Sequence, residues 1–218
     1  MRRLIVLLIY VLFSGCTENV NQPNETSSNI GMQTLSATLV NYNNSDSILI
    51  KLEQEYTISP TGKTLSVIAI DSTVVNRNGY FKLSLSKPSD KLLNYKRGLQ
   101  SPGLIFGNET TKMYTTNILW LYKNNEKIGY AFCANNERFL RSSGDYVVSL
   151  IYSCDTLSVH GNANNGGYKQ SINKIDYHLK KGWNLAIRTV DNITDSTVVL
   201  RSIIDNEFNG YWDYKISI

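Results

Sequence analysis

The sequence predicts an all-β protein: an antiparallel β-sandwich built as one large or two small Ig-like units. Three observations carry this expectation. From Leu35 onward apolar residues recur at every second position, the period that presents one face of a strand to a core. Asn- and Gly-containing segments separate those runs, as turns require. No window of eleven or more residues shows the 3.6-residue period of an amphipathic helix. The 218 residues supply ample apolar material for a core. The 24 Asn, 22 Ser and 16 Thr suit turns and the polar side of strands.

The first element is an address. Met1-Arg2-Arg3 is a short positive start, residues 4–13 are ten apolar residues, and Ser14-Gly15 precede Cys16. Such a run is shorter than the roughly 20 residues of a membrane-spanning helix but suits a secretory signal. Small residues before a cysteine resemble the bacterial lipobox, with Phe13 where Leu is usual. That resemblance implies cleavage before Cys16, a diacylglycerol on its sulfur and an acyl group on its new amine. A single chain binds a membrane only marginally, so two or three are needed for a stable anchor. Residues 1–15 are thus expected to be a lipoprotein signal peptide, and residues 16–31, polar and aperiodic, a flexible lipid-anchored linker. Thr17 follows the cysteine where an Asp would imply inner-membrane retention, so the expected location is the outer membrane, at its periplasmic or surface face. Loss of Arg2 and Arg3 leaves 20 basic against 18 acidic residues. That balance excludes a polybasic nucleic-acid binder.

The body, residues 32–218, reads as strands in succession. Ile48, Ile50 and Leu52 alternate with Leu49, Lys51 and Glu53. Residues 65–70 follow the turn-like Pro60-Thr61-Gly62-Lys63, and Phe81, Leu83 and Leu85 follow a turn at residues 76–79. Gly62-Lys63-Thr64 matches only the tail of a phosphate-binding loop, and no helix pattern follows it. Ser89 could cap a short helical turn at residues 88–93. Residues 94–111 are aperiodic, with Gly98, Pro102, Gly103 and Gly107, and mark a long connection at which the body could divide. Residues 118–122 and 127–133 flank Asn124-Asn125 as a hairpin. Strands are then expected at 146–152, 156–160, 172–179, 184–190, 197–203 and 212–218, the last closing a sheet.

Two segments resemble a family. Val74-Val75-Asn76-Arg77-Asn78-Gly79-Tyr80-Phe81-Lys82-Leu83-Ser84-Leu85 and Leu179-Lys180-Lys181-Gly182-Trp183-Asn184 are similar to segments of uncharacterised, Bacteroidetes-like bacterial envelope lipoproteins. The resemblance implies compartment and β-architecture, and no activity. In the second segment Gly182 can take positive φ and Trp183 can fold over the sheet end as a core plug.

Candidate chemistry is sparse, and no catalytic residue, metal or cofactor is expected. Cys133 and Cys154, 21 residues apart, are expected either to form a disulfide, contributing about 3 kcal/mol, or to be two buried thiols. A Cys–His pairing with His160 lacks an orienting third group. Asp205, Glu207 and Asn209 imitate the front half of a calcium loop, but its twelfth position is Ile216. Asp-Ser/Thr pairs place Ser47, Ser72, Thr156 and Ser196 as O-glycosylation acceptors resembling those of Bacteroidetes-type envelope proteins; a polar pair entering a strand is equally ordinary. Tyr95, Tyr114 and Tyr211 are the candidate ligand-stacking aromatics. The expected function is a non-catalytic binding or structural module held at the membrane by its lipid, with a protein or glycan partner. The alternatives are a glycan-binding module, or an envelope hydrolase drawing on Asp145, Asp155 or Asp176 from distant loops.

Overall fold

The computed structural model describes residues 30–40, 42, 47–57, 65–95, 101–136, 140–165, 170–208, 210 and 212–216, with backbone alone at 54–57, 65, 66, 94, 95, 165, 214 and 216. Among them are fifteen strands and no helix. In chain order these are β1 (Thr34–Thr38), β2 (Ile48–Thr57), β3 (Leu65–Val75), β4 (Tyr80–Ser84), β5 (Asn94–Tyr95), β6 (Leu104–Phe106), β7 (Lys112–Thr116) and β8 (Leu119–Lys123). They continue as β9 (Glu126–Cys133), β10 (Tyr146–Ser153), β11 (Leu157–Asn165), β12 (Gln170–Leu179), β13 (Gly182–Ile193), β14 (Thr197–Ile204) and β15 (Trp212–Ile216).

The strands assemble into an all-β, sandwich-like fold. One sheet has eight strands, β5-β7-β10-β13-β14-β12-β11-β6, and curls into a half-barrel. A second has the order β15-β9-β8-β2-β3, and β1 pairs with β4 alone. Period-two alternation is what lets them close. Ile48, Ile50, Leu52 and Leu83 are wholly buried, and Phe81 nearly so. These side chains join Leu119, Leu121, Tyr114, Leu150, Trp183 and Leu185 in one hydrophobic cluster drawn from all three sheets. A second cluster, including Val159, Ile175, Tyr177 and Leu179, fills the other face of the eight-stranded sheet.

Turn chemistry behaves as the sequence implies. The Asn76 side-chain oxygen accepts the amides of Asn78 and Tyr80, and Gly79 sits at φ 78°. Asn124 and Asn125 both take positive φ, 51° and 67°, the geometry of the primed two-residue turns that suit hairpin twist. Residues 88–93 form turns and no helix, with the Leu92 amide on Ser89 O at 2.8 Å.

Two expectations change. The sheets are not antiparallel throughout, because β12 and β14 are parallel neighbours. Strands β12 and β13 are consecutive but not adjacent; β14 returns between them, antiparallel to β13 and so parallel to β12. Residues 94–111 do not separate two cores either. The strands β5 and β6 within this segment hold opposite edges of one sheet, and Leu92 and Leu93 share a core with Tyr114 and Trp183. The body also begins earlier than residue 32: Ile30 bridges Lys181, and the amides of Gly31 and Met32 reach Lys181 O and Trp183 O at 2.7 Å.

Candidate functional site

The chain contains two histidines, and the fold brings them together. Strands β11 and β12 pair so that Ser158 lies opposite His178 and His160 opposite Asp176. Leu157 and Val159 on one strand, and Ile175, Tyr177 and Leu179 on the other, point into the half-barrel core. The alternation therefore turns Ser158, His160, Asp176 and His178 outward as a two-by-two patch. His160 Nδ1 lies 2.7 Å from Asp176 Oδ1, and His178 Nε2 lies 3.5 Å from the same oxygen. The imidazoles meet edge to face with centroids 5.1 Å apart. Ser158 Oγ is 3.4 Å from His178 Nδ1.

Both strands lie inside the sheet, so their backbones are fixed by ladders on each side: β6 and β12 flank β11, while β11 and β14 flank β12. Gly161 makes the first of these possible. It sits at φ 129°, and a Cβ there would collide with the Gly103 carbonyl as β6 approaches. The row through the patch continues on both sides, with Ile105 opposite His160 and Ile203 beside Asp176. Both isoleucines are exposed, Ile105 to 73%. Along β11 and β12, His178 and Ser158 also line an open cleft of about 450 Å³ with Thr156, Lys180, Gly107 and Asn108. Among the described residues, His160, Asp176 and His178 form the group of donor side chains close enough to hold a metal ion.

The residues singled out from sequence fare differently. Cys16, Tyr211 and Asn209 lie outside the described residues, as do Gly62, Lys63 and Thr64. Cys133 is a free thiol, so the disulfide with Cys154 does not form; Cys133 faces the core, and burial pushes its thiol up to about 12. That position also keeps it from His160, which is on the outward face of β11 and engaged with Asp176. Tyr114 is not an exposed stacking residue. It is wholly buried, edge-on to Trp183 at 5.9 Å, because its register on β7 faces the core. Tyr95 is on β5, with its side chain outside the description. Ser47, Ser72, Thr156 and Ser196 are all exposed; Asp71 and Asp155 each accept the amide of the hydroxyl residue that follows. The Asp205 carboxylate accepts the Glu207 amide at 3.0 Å, capping a turn before β15.

The three carboxylates considered for hydrolysis have separate partners. Asp145 Oδ2 accepts the amides of Ser142 and Arg141 and the Asn136 side chain, at 2.7, 2.8 and 3.0 Å. Asp155 binds the Thr156 amide, and Asp176 the histidines. A row of aromatics does stand on the outer face of the five-stranded sheet. Trp120 packs edge-on to Tyr130 at 6.1 Å, but Lys127 Nζ lies 3.8 Å from the Trp120 ring centre and Lys51 Nζ 4.0 Å from that of Tyr122. The buried Glu53 holds this face together through Tyr122 Oη and, at 3.4 Å, Lys127. These ring faces are covered by the protein's own cations.

The histidine–aspartate patch is not legible in the sequence alone, where nothing links His160 to His178. Ser158-Val159-His160 and Asp176-Tyr177-His178 both read polar–apolar–polar, the signal of outward donors on a strand. Only the pairing register shows that they are neighbours. The chain matches no known family model, and no curated protein or solved structure is significantly similar to it.

Proposed function

We propose that this protein is a lipid-anchored module of the bacterial cell envelope that binds a partner on its β-body without performing chemistry on it. The anchor is Cys16, acylated after removal of residues 1–15, and the site is the outer membrane. This reading rests on the basic start, the ten apolar residues and the small residues before Cys16. The single observation that carries the binding role is the open cleft of about 450 Å³ abutting the His160–Asp176–His178 patch, with exposed Ile105 and Ile203 beside it. Exposed aliphatic groups around convergent polar side chains on a rigid sheet are what a recognition surface needs. A partner with both apolar and hydrogen-bonding groups suits it.

Labelling cells with radioactive palmitate tests the anchor. Wild type incorporates label and Cys16→Ala does not; equal labelling of both refutes lipidation. A photo-crosslinking side chain placed at Ile105 is expected to trap a discrete adduct in cells. The same group at Val74, exposed to 55% on β3 of the other sheet, is expected to trap none.

A further inference from the structure

We propose that His160, Asp176 and His178 bind a late first-row divalent cation, Zn²⁺ or Cu²⁺, on the outer face of β11 and β12. Their ligand atoms all lie within 4.8 Å of one another. Two imidazoles and one carboxylate are the donor mixture these ions take, whereas Ca²⁺ and Mg²⁺ require oxygen donors throughout. A four-coordinate zinc with nitrogen and oxygen donors at about 2.0–2.2 Å holds neighbouring donors roughly 3.3 Å apart. His178 Nε2 and Asp176 Oδ1 already stand at 3.5 Å. His160 Nδ1 and Asp176 Oδ1, now hydrogen-bonded at 2.7 Å, must separate by about half an ångström to admit the ion between them. All three side chains are substantially exposed, so torsion of the side chains alone accomplishes this.

Two further features prepare the site. The hydrogen bond between Ser158 and His178 Nδ1 leaves Nε2 directed at Asp176, the arrangement by which a neighbouring polar group fixes which nitrogen of a metal-binding histidine is offered. The strand backbones bearing the donors are held by ladders on both sides, so ordering them costs little on binding. Long-range charge does not help: Lys174 lies on the same outward face one row from Asp176, and Arg201 beside it is paired with Asp191 at 3.3 Å. Affinity must therefore come from the donors themselves. Three protein ligands leave at least one coordination position open towards solvent, for water or a donor from a bound partner.

Equilibrium dialysis of the untagged full chain against Zn²⁺ alone, or Cu²⁺ alone, tests this directly. Wild type is expected to retain one ion per chain. His160→Ala, His178→Ala and Asp176→Asn should each lose that ion, and Ser158→Ala should weaken binding by about tenfold, the smaller end of the effect of groups that orient a ligand. With Cu²⁺, the electron paramagnetic resonance spectrum of wild type should show nitrogen coupling from two imidazoles. Thermal unfolding in EDTA, unchanged in these surface variants, separates lost binding from lost folding. Absence of a retained ion in wild type overturns the proposal, and so does binding by His178→Ala equal to wild type, the behaviour of a plain hydrogen-bonded His–Asp pair. Because the assay reads the ion alone, its result is independent of the anchor and of any partner.

Discussion

Asp145 shows how a single carboxylate can organise a loop that carries no chemistry. Its Oδ2 gathers two backbone amides and one carboxamide from the segment leading into β10, and the Val190 amide reaches the Asp145 carbonyl at 2.8 Å. The Ser142 amide, the strongest of the influences, is opposed in part by burial and reinforced by Arg141 and Asn136; together they hold the carboxyl below the usual aspartate range. Hydrogen bonds to the charged form favour it, so folding prefers the ionised group. The stabilisation is therefore complete above the unfolded value of about 3.9 and is lost as pH falls through the depressed native value. Asp145→Asn should be less stable than wild type at pH 6. The difference should shrink as pH drops below about 4, because the wild type is then losing what the variant never had. Unfolding midpoints of both proteins from pH 6 to pH 2.5 check this; a gap that stays constant or widens on acidification contradicts it. Nothing in the sequence distinguishes Asp145 from Asp155, since the three donors are supplied by residues 136, 141 and 142 only once the loop has closed.

Among elements, the connection from β12 to β13 has the most demanding task. It must step over the position that β14 later fills, about two strand spacings or 9.6 Å. Gly182 supplies a φ of 98°, and Asn184, wholly buried, fastens the step. Its carboxamide donates to Lys180 O and Gly182 O at 2.8 and 3.0 Å and accepts the Lys180 amide at 3.0 Å and Asn206 Nδ2 at 3.3 Å. Next to it Trp183 is buried, donates to Ser86 O at 2.8 Å and meets Tyr114 and Tyr152 edge-on. Asn184→Ala strands several part-buried backbone groups, each costing up to about 1–3 kcal/mol when left unsatisfied. A net loss of about 3 kcal/mol is expected, which in a chain of this size lowers the thermal midpoint by roughly 6–12 °C. A calorimetric shift under about 2 °C would show that water replaces the carboxamide. The turn itself was legible: glycine at positive φ and the tryptophan plug follow from Gly182-Trp183. The inserted strand was not, because period-two alternation fixes which side chains face the core but is silent on which strand lies beside which. The same blindness hid the histidine patch, whose members are 18 residues apart in sequence at His160 and His178 and adjacent only through the β11–β12 register.

Across the whole molecule, the question the sequence left open was whether residues 94–111 divide it. The core argues for one unit. Leu35, Phe81 and Leu83 from the two-stranded sheet, Ile50, Leu121 and Trp212 from the five-stranded sheet, and Leu150, Trp183 and Leu185 from the eight-stranded sheet pack in one cluster. Trp212 meets Phe81 edge-on at 6.2 Å, and the Leu39 bridge to Trp212 ties the end of β1 to β15. No sheet can shed its partners without exposing apolar surface on the others, which is the physical condition for all-or-none unfolding. In urea, tryptophan fluorescence and far-ultraviolet circular dichroism should therefore give one coincident transition. Fluorescence is a fair witness because Trp183 belongs to one large sheet, and Trp120 and Trp212 to the other. Trp183→Ala, which leaves a large cavity at the shared core and should cost about 3–5 kcal/mol, should move both signals to lower urea together. Two separated transitions, or a Trp183→Ala shift in only one signal, would mean that the eight-stranded sheet stands as a domain of its own.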